Sequence, residues 1–322
     1  VTNEFGAEAV RTWKATATIP IGLGGSVFGW IVGSERADAI LDRFFEIGGR
    51  FIDTSDGYSY AARTSAADSE SMIGSWVRRR GIENEIRIMT KVGLCPGVEG
   101  LAPAVVAEAV DASLDRLGIS VAEAILAHAD DGVTAPEEIA AGFAALVGAR
   151  THHIGVSRFS TDRLRATRAA LRRSSNAEFT VIQEEFSLAE RGGVEHLVGS
   201  EVGQRLGLVC SAALARGFLT GKFEHALTRV GARHAYVDRH YGLPGHHTLL
   251  AGLRAVAAAH GVAPAAVAIR WLLQHEAVAL PLVSVTDPGQ LDVFQEVTDL
   301  RLTPDEWESL DTLSAALPTG PR

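Results

Sequence analysis

Only two cysteines, Cys95 and Cys210, occur in 322 residues. So few exclude a disulfide framework, and the absence of Cys-x-x-Cys or Cys/His ligand spacing argues against structural zinc. The eleven histidines do not replace it. His152-His153 and His246-His247 are adjacent pairs, whose side chains diverge on a strand and lie about 100° apart on a helix, so no metal site is expected. Long hydrophobic runs are missing as well: no apolar stretch approaches the roughly 18–20 residues that span a bilayer, and no membrane partner is expected. A basic tract is also lacking. Net charge is −9, and arginines sit in helix-like segments such as Arg78-Arg79-Arg80 and Arg172-Arg173, which makes nucleic acid an unexpected partner. Val1 to Lys14 carries no basic segment followed by an apolar block, so a cytoplasmic location is expected.

What the chain does have is an ordinary globular balance, 47% hydrophobic and 21% charged. Its length would allow two domains, but single α/β barrels run this long, and one domain over residues 1–322 is expected. Strand-like and helix-like patterns alternate throughout. Strands are expected at 19–24, 50–54, 86–92, 124–128, 153–157, 180–185, 208–210 and 278–284. Helices are expected at 37–47, 69–80, 102–117, 136–148, 161–171, 193–205, 262–275 and 288–297. Eight apolar strands, each followed by a helix, predict an α/β fold of the (β/α)8 TIM-barrel type. An open doubly wound sheet is the rival, and it needs a glycine fingerprint running into a helix; Gly22-Leu23-Gly24-Gly25 leads to Phe28 and Trp30 instead. Residues 223–247 read as a long loop on the catalytic face. Thr303-Pro304-Asp305-Glu306 supplies a cap, a first-turn proline and early acids for an extra C-terminal helix reaching about Leu313.

Chemistry gathers where strands end. Phe51-Ile52-Asp53-Thr54-Ser55-Asp56-Gly57-Tyr58 runs from an apolar strand into a polar turn, Ile86-Arg87-Ile88-Met89-Thr90-Lys91 ends on a lysine, and Ala124-Ile125-Leu126-Ala127-His128 ends on a histidine. In a barrel these ends share one rim. A phenol is a poor acid at neutral pH unless a nearby cation favours its phenolate, a part open to Lys91. Asp53 can hold Lys91, and His128 can donate to a substrate oxygen. Each residue has a structural reading too: a turn-forming Asp53, a packed Tyr58, a solvated Lys91 and a satisfied core His128. Burying a Lys and a His together at the ends of apolar strands is the arrangement that favours function.

In this order the motifs resemble the aldo-keto reductase superfamily from about residue 19 to 313. The resemblance rests on the 51–58 segment, Ser69-Glu70-Ser71-Met72-Ile73-Gly74, Thr90-Lys91-Val92-Gly93, the His128 strand with Asp130-Asp131, Gly155-Val156-Ser157, Gln183-Glu184-Glu185-Phe186-Ser187-Leu188, and Leu214-Ala215-Arg216-Gly217-Phe218-Leu219-Thr220-Gly221-Lys222. Val27-Phe28-Gly29-Trp30 is similar to the bacterial branch near potassium-channel β subunits and to reductases of nucleotide-sugar and antibiotic pathways. The resemblance implies an extended nicotinamide cofactor at the barrel mouth. It makes Tyr58 the general acid of carbonyl reduction, Lys91 the group that lowers its pKa, Asp53 the partner of Lys91, and His128 the group orienting the carbonyl. Ser157 and Gln183 would hold the carboxamide, and Leu214 to Gly217, with Arg216 and Lys222, would lie along the pyrophosphate. Ser284, Thr286, Gln290 and Phe294 would meet the adenosine end.

Four departures from the family pattern stand out. Arg158, in the cofactor-binding run after Ser157, stands where a carboxamide-binding Asn is usual; Ser211 stands where an aromatic stacks on the nicotinamide, a role Phe186 or another ring would take over; Ala212-Ala213 replace Ser-Pro; and Asp287 with Phe294 occupy the region reading the 2′-phosphate and adenine. NADP(H) is therefore the family expectation, with NAD(H) the alternative that the local residues leave open. Trp30, Tyr60 and the 223–247 loop are the expected substrate walls, and a polar, histidine-rich lining would suit a sugar or aminocyclitol carbonyl. Monomer and homo-oligomer are both compatible with the sequence. The competing functions are a cofactor-binding, redox-sensing regulatory subunit and a nucleotide-sugar enone reductase.

Overall fold

The computed structural model describes residues 13, 17–58, 68–203, 206–222 and 232–317. Eight parallel strands, β1 (Gly22–Gly24), β2 (Phe51–Asp53), β3 (Arg87–Val92), β4 (Ala122–Ala127), β5 (Thr151–Ser157), β6 (Phe179–Glu185), β7 (Gly207–Ser211) and β8 (Val278–Val283), close into a barrel in sequence order. Closure is made at β1, where Leu23 is in register with Ile52 on one side and Val283 on the other.

A two-residue period sorts the side chains of each strand. Ile52, Ile88, Ile125, Ile182, Leu208 and Val283 face outward into a layer shared with the surrounding helices. Phe51, Met89, Ala124, Leu126, Val181, Val209, Leu280 and Leu282 face inward and form a separate cluster, joined by Trp13, whose ring lies 5.4 Å from that of Phe51. Space for this filling comes from β1: a Cβ on Gly22 would stand 2.5 Å from the Leu282 side chain. One further step along the inward rows, at the C-terminal ends of the strands, lie Asp53, Lys91, His128, Ser157, Gln183, Ser211 and Ser284. The apolar filling thus gives way to a polar layer at one height.

The outer ring contains α1 (Ser34–Glu46), α2 (Asp68–Arg80), α3 (Pro103–Leu117), α4 (Pro136–Ala144), α5 (Thr161–Ser174) and the short α6 (Val194–Val198). Local signals set their ends. Pro103 opens α3 and Gly118, at φ 68°, closes it, while the Ser160 hydroxyl caps α5 by accepting the Arg163 N–H at 3.2 Å. The helix expected over 193–205 stops at Val198, because the chain folds back until a Cβ on Gly203 would stand 2.0 Å from the Leu197 oxygen.

The expected 223–247 loop is a larger correction. Its described part contains α7 (Ala232–Tyr241) and the first turn of α8 (Pro244–His260), and α9 (Pro264–Gln274) follows. Leu249, Leu250, Leu253 and Ala257 of α8 are buried, and the Phe218 and Tyr241 rings stack at 5.2 Å, so apolar packing organises the insertion. After β8 come α10 (Asp292–Asp299) and the extra helix α11 (Pro304–Ala315). The α11 capping box pairs Thr303 with Glu306, Trp307 stacks on Trp271 at 5.7 Å, and Ser314 donates to the Leu188 oxygen at 2.6 Å. Among the described residues no single helix is long and apolar enough to cross a membrane.

Candidate active site

Backbone hydrogen bonds carry the sheet past the end of β2 and β4: Thr54 N–H donates to Met89, Asp56 N–H to Lys91 and His128 N–H to Val92. The Tyr58 N–H then donates to the Ser55 oxygen at 3.3 Å, a turn that returns the phenol over β2. Lys91 Nζ donates to Asp53 Oδ1 at 2.7 Å and to the Thr54 oxygen at 2.6 Å. Gln183 Nε2 donates to the same Oδ1 at 2.7 Å, and the Tyr58 hydroxyl lies 3.3 Å from Oδ2. The Tyr58 and His128 rings meet edge to face at 5.7 Å. Asp53, Tyr58, Lys91 and His128, named from separate strand ends, are therefore brought together.

Burial governs the electrostatics. It lowers the Lys91 pKa, against the pull of Asp53, and lowers that of His128 from 6.5 to about 2, with Lys91 and Arg158 adding repulsion. His128 is thus a neutral imidazole. Tyr58 is raised well above its usual 10, first by burial and then by the Asp53 carboxylate, while Arg158 pulls it down. The Lys91 ammonium is held by Asp53 and the Thr54 oxygen and lies 4.8 Å from the Tyr58 ring centre. Behind the tetrad, burial and the charge of Glu70 push Asp56 up from 3.8 to about 6. Glu70 accepts from Thr90 at 2.5 Å and Arg116 at 2.8 Å, tying α2 to β3 and α3.

A cavity of about 1030 Å³ opens above this layer. It runs from Tyr58 and His128, past Ser157, Arg158 and Gln183, to Ser211, Leu214, Arg216, Gly217 and Lys222, and to Ser284 and Gln290 beside β8. Its volume lies at the top of the usual range for one ligand, about 300–1,000 Å³. At the β7 end, Ala212, Ala215, Arg216 and Gly217 have φ of 51°, 47°, 54° and 98°, the left-handed turns from which backbone anion cradles are built. These residues fit an extended nicotinamide dinucleotide: amide and hydroxyl groups beside the tetrad, a phosphate-sized cradle farther out, and Lys222 at its edge.

Several expected contacts are placed differently. Phe294 is 0% exposed and packs edge to face on Phe44, so its ring belongs to the core and offers no adenine platform. Its helix turns that position inward. Thr286 lies off the cavity, its N–H donating to Gln290 Oε1 at 2.9 Å. Gln183 has its amide nitrogen committed to Asp53, which leaves its oxygen for a carboxamide. Phe186 is buried against Trp271 and does not replace the aromatic missing at Ser211. Trp30 lines the mouth and is 56% exposed; Tyr60 lies outside the described residues. The histidine-rich lining is not found among the described residues, where His128 is the one histidine on the cavity: His240 stacks on Tyr236 and His246 is buried beneath Phe218.

Three lining or supporting residues escape sequence reasoning. Ser55 Oγ lies 2.8 Å from His128 Nδ1, and its signal was the two-residue period that puts it on the face of Asp53. Ser26 lines the cavity 3.3 Å from the Ser284 hydroxyl, across a gap kept open by Gly24, where a Cβ would strike that hydroxyl at 2.5 Å. Tyr236 lines it from the insertion, with the Arg216 guanidinium 4.6 Å over its ring; nothing local in the sequence marks it.

The model of the aldo/keto reductase family matches residues 20–315. An aldo-keto reductase of Schizosaccharomyces pombe whose name specifies NADP(+) is 28% identical over 265 residues, 77% of this chain and 74% of its own. Aldo-keto reductase YhdN of Bacillus subtilis is 25% identical over 333 residues, 99% of this chain and 95% of its own. A norsolorinic acid reductase of Emericella nidulans is 26% identical over 294 residues, 88% of this chain and 73% of its own.

Proposed function

This chain belongs to the aldo/keto reductase family, and from that premise we propose that it reduces a carbonyl group of a polar small molecule with NADPH, Tyr58 acting as general acid. The observation that carries the reading is the chain of contacts from Lys91 through Asp53 to Tyr58, at the floor of a cavity of about 1030 Å³. When bound, the reduced nicotinamide supplies the hydride. The protein's own residues manage the oxygen. The Tyr58 hydroxyl is held to Asp53 at 3.3 Å, a long bond that a developing alkoxide outcompetes. Ser55 Oγ lies 2.8 Å from His128 Nδ1, and in the tautomer where Ser55 is the donor there, Nε2–H faces the same oxygen as a neutral donor that stabilises charge without surrendering its proton. Lys91 and Arg158 are the cations beside the phenolate that remains.

Two points support NADPH over NADH. The Asp287 carboxylate accepts the Gly289 N–H at 2.9 Å and is thereby occupied within its own turn, and the fission yeast relative is named for NADP(+). Polar lining groups beyond those given to the cofactor, Ser26 and Glu184, favour a hydroxylated substrate, a sugar-like or cyclitol-like intermediate of secondary metabolism. Quenching of tryptophan fluorescence by NADPH and NADH tests the coenzyme; equal affinities would remove that part. Turnover of hydroxylated ketones and of simple aromatic aldehydes, measured by nicotinamide absorbance, tests the substrate. In Tyr58→Phe, kcat is expected to fall roughly 10²–10⁴-fold; unchanged turnover would defeat the mechanism.

A further inference from the structure

We propose that the Arg158 guanidinium binds an anionic group, carboxylate or phosphate, carried by the carbonyl substrate. The inference rests on the carbonyl-reductase reading and adds the substrate's charge. Arg158 follows β5 directly and lines the cavity. Its N–H is fixed by Glu184 Oε1 at 2.7 Å, and its Nε donates to the main-chain oxygen of His128 at 3.2 Å, which sets the head group beside the catalytic imidazole. Its charge acts on Tyr58, Lys91 and His128 alike. Among the described residues, the two Nη nitrogens have no hydrogen-bond partner, and no carboxylate pairs with the guanidinium.

The neighbouring acids are already engaged. Asp53 holds Lys91, Glu185 holds Arg216 at 2.5 Å, and Glu184 accepts the Arg158 amide. Glu184 meets the Arg158 main chain and not its guanidinium, which is thus left without a direct counter-ion among the described residues. Arg158 also occupies left-handed backbone, φ 54°, a conformation natural to Gly or Asn and strained for a long side chain. Strain of this kind persists where a side chain is needed in place. A planar fork with two free ends suits a carboxylate or phosphate better than a neutral hydroxyl.

The test compares matched probes in the wild type, Arg158→Asn and Arg158→Lys: 4-carboxybenzaldehyde against 4-methylbenzaldehyde, and glycolaldehyde phosphate against glycolaldehyde. The wild type is expected to favour the anionic member of at least one pair by roughly ten- to hundredfold in kcat/KM, the span of a charge-assisted hydrogen bond. The pair that responds distinguishes carboxylate from phosphate. In Arg158→Asn, whose side chain tolerates this backbone, the ratio is expected to approach one through KM, and Arg158→Lys is expected to keep part of it. NADPH affinity, read by tryptophan fluorescence, is expected to change less than twofold. An absent preference, an unchanged ratio in Arg158→Asn, or a loss of NADPH affinity as large as the loss of ratio would overturn the proposal. Failure of every carbonyl, neutral or anionic, to oxidise NADPH would overturn the reductase reading itself.

Discussion

The two sides of the cavity are built on different principles. On the β2 to β4 side, function resides in buried charged side chains, Asp53 and Lys91, each satisfied by named partners at the end of an apolar strand. On the β7 to β8 side the cavity is lined by backbone, in the left-handed turns at Ala212, Ala215 and Arg216, and by small hydroxyls such as Ser211 and Ser284. A buried ion pair tolerates little change, because removing one partner strands the other away from water. A backbone cradle tolerates many side chains, provided the turns survive. The departures at Ser211, Ala212, Ala213 and Asp287 fall on this second side.

The sharpest way to break the contrast is to remove the carboxylate that organises the first side. Asp53→Ala is expected to destabilise the fold by about 3–5 kcal/mol in urea unfolding, since Lys91 loses its counter-charge and Gln183 and Tyr58 their acceptor. A loss below 1 kcal/mol would show that the pair is not structural. Phe294→Ala probes the other side. As a core residue it is expected to lose about 3–5 kcal/mol of stability with NADPH affinity changed less than twofold, whereas an adenine platform would show the reverse.

The smaller prediction concerns pH and sharpens the first side alone. Folded His128 stays neutral down to about pH 2, so the unfolded chain alone takes up that proton below its ordinary 6.5, and stability falls as pH falls. Folded Asp56 binds its proton at about 6 instead of 3.8, so between those values stability rises as pH falls. The two slopes oppose each other, each about 1.4 kcal/mol per pH unit at most. Relative to wild type, His128→Asn is expected to gain stability as pH drops from 6.5 toward 4, and Asp56→Asn to lose it from 6 toward 4. Parallel curves for all three proteins would show that neither site carries the shift assigned to it.

The same contrast decided what could be read in advance. The eight strands and the tetrad were legible because a Lys, His or Asp ending an apolar strand is anomalous by itself, and parallel strands place such ends on one rim. Phe294 was misread because a helix position near the adenine region says nothing of which way the helix is turned; packing against Phe44 decides it. The 223–247 segment was misread because its glycines and histidines resemble loop composition, although Ala232–Tyr241 and the turn from Pro244 are helical. Ser26 matters through Gly24, and such close approaches appear only once the barrel is closed.

The bond from Gln183 to Asp53 has a consequence for how the molecule comes into being. The two residues are 130 positions apart, on β6 and β2, and are joined across the barrel interior and not along its wall. A growing chain that has released only β1 to β5 can pair its strands in order yet leaves Asp53 one donor short. The Asp53 carboxylate therefore gains its full set of partners only after three-quarters of the ring is in place. A fragment ending before β6 can hold the Lys91–Asp53 pair but lacks the Gln183 contact that completes it.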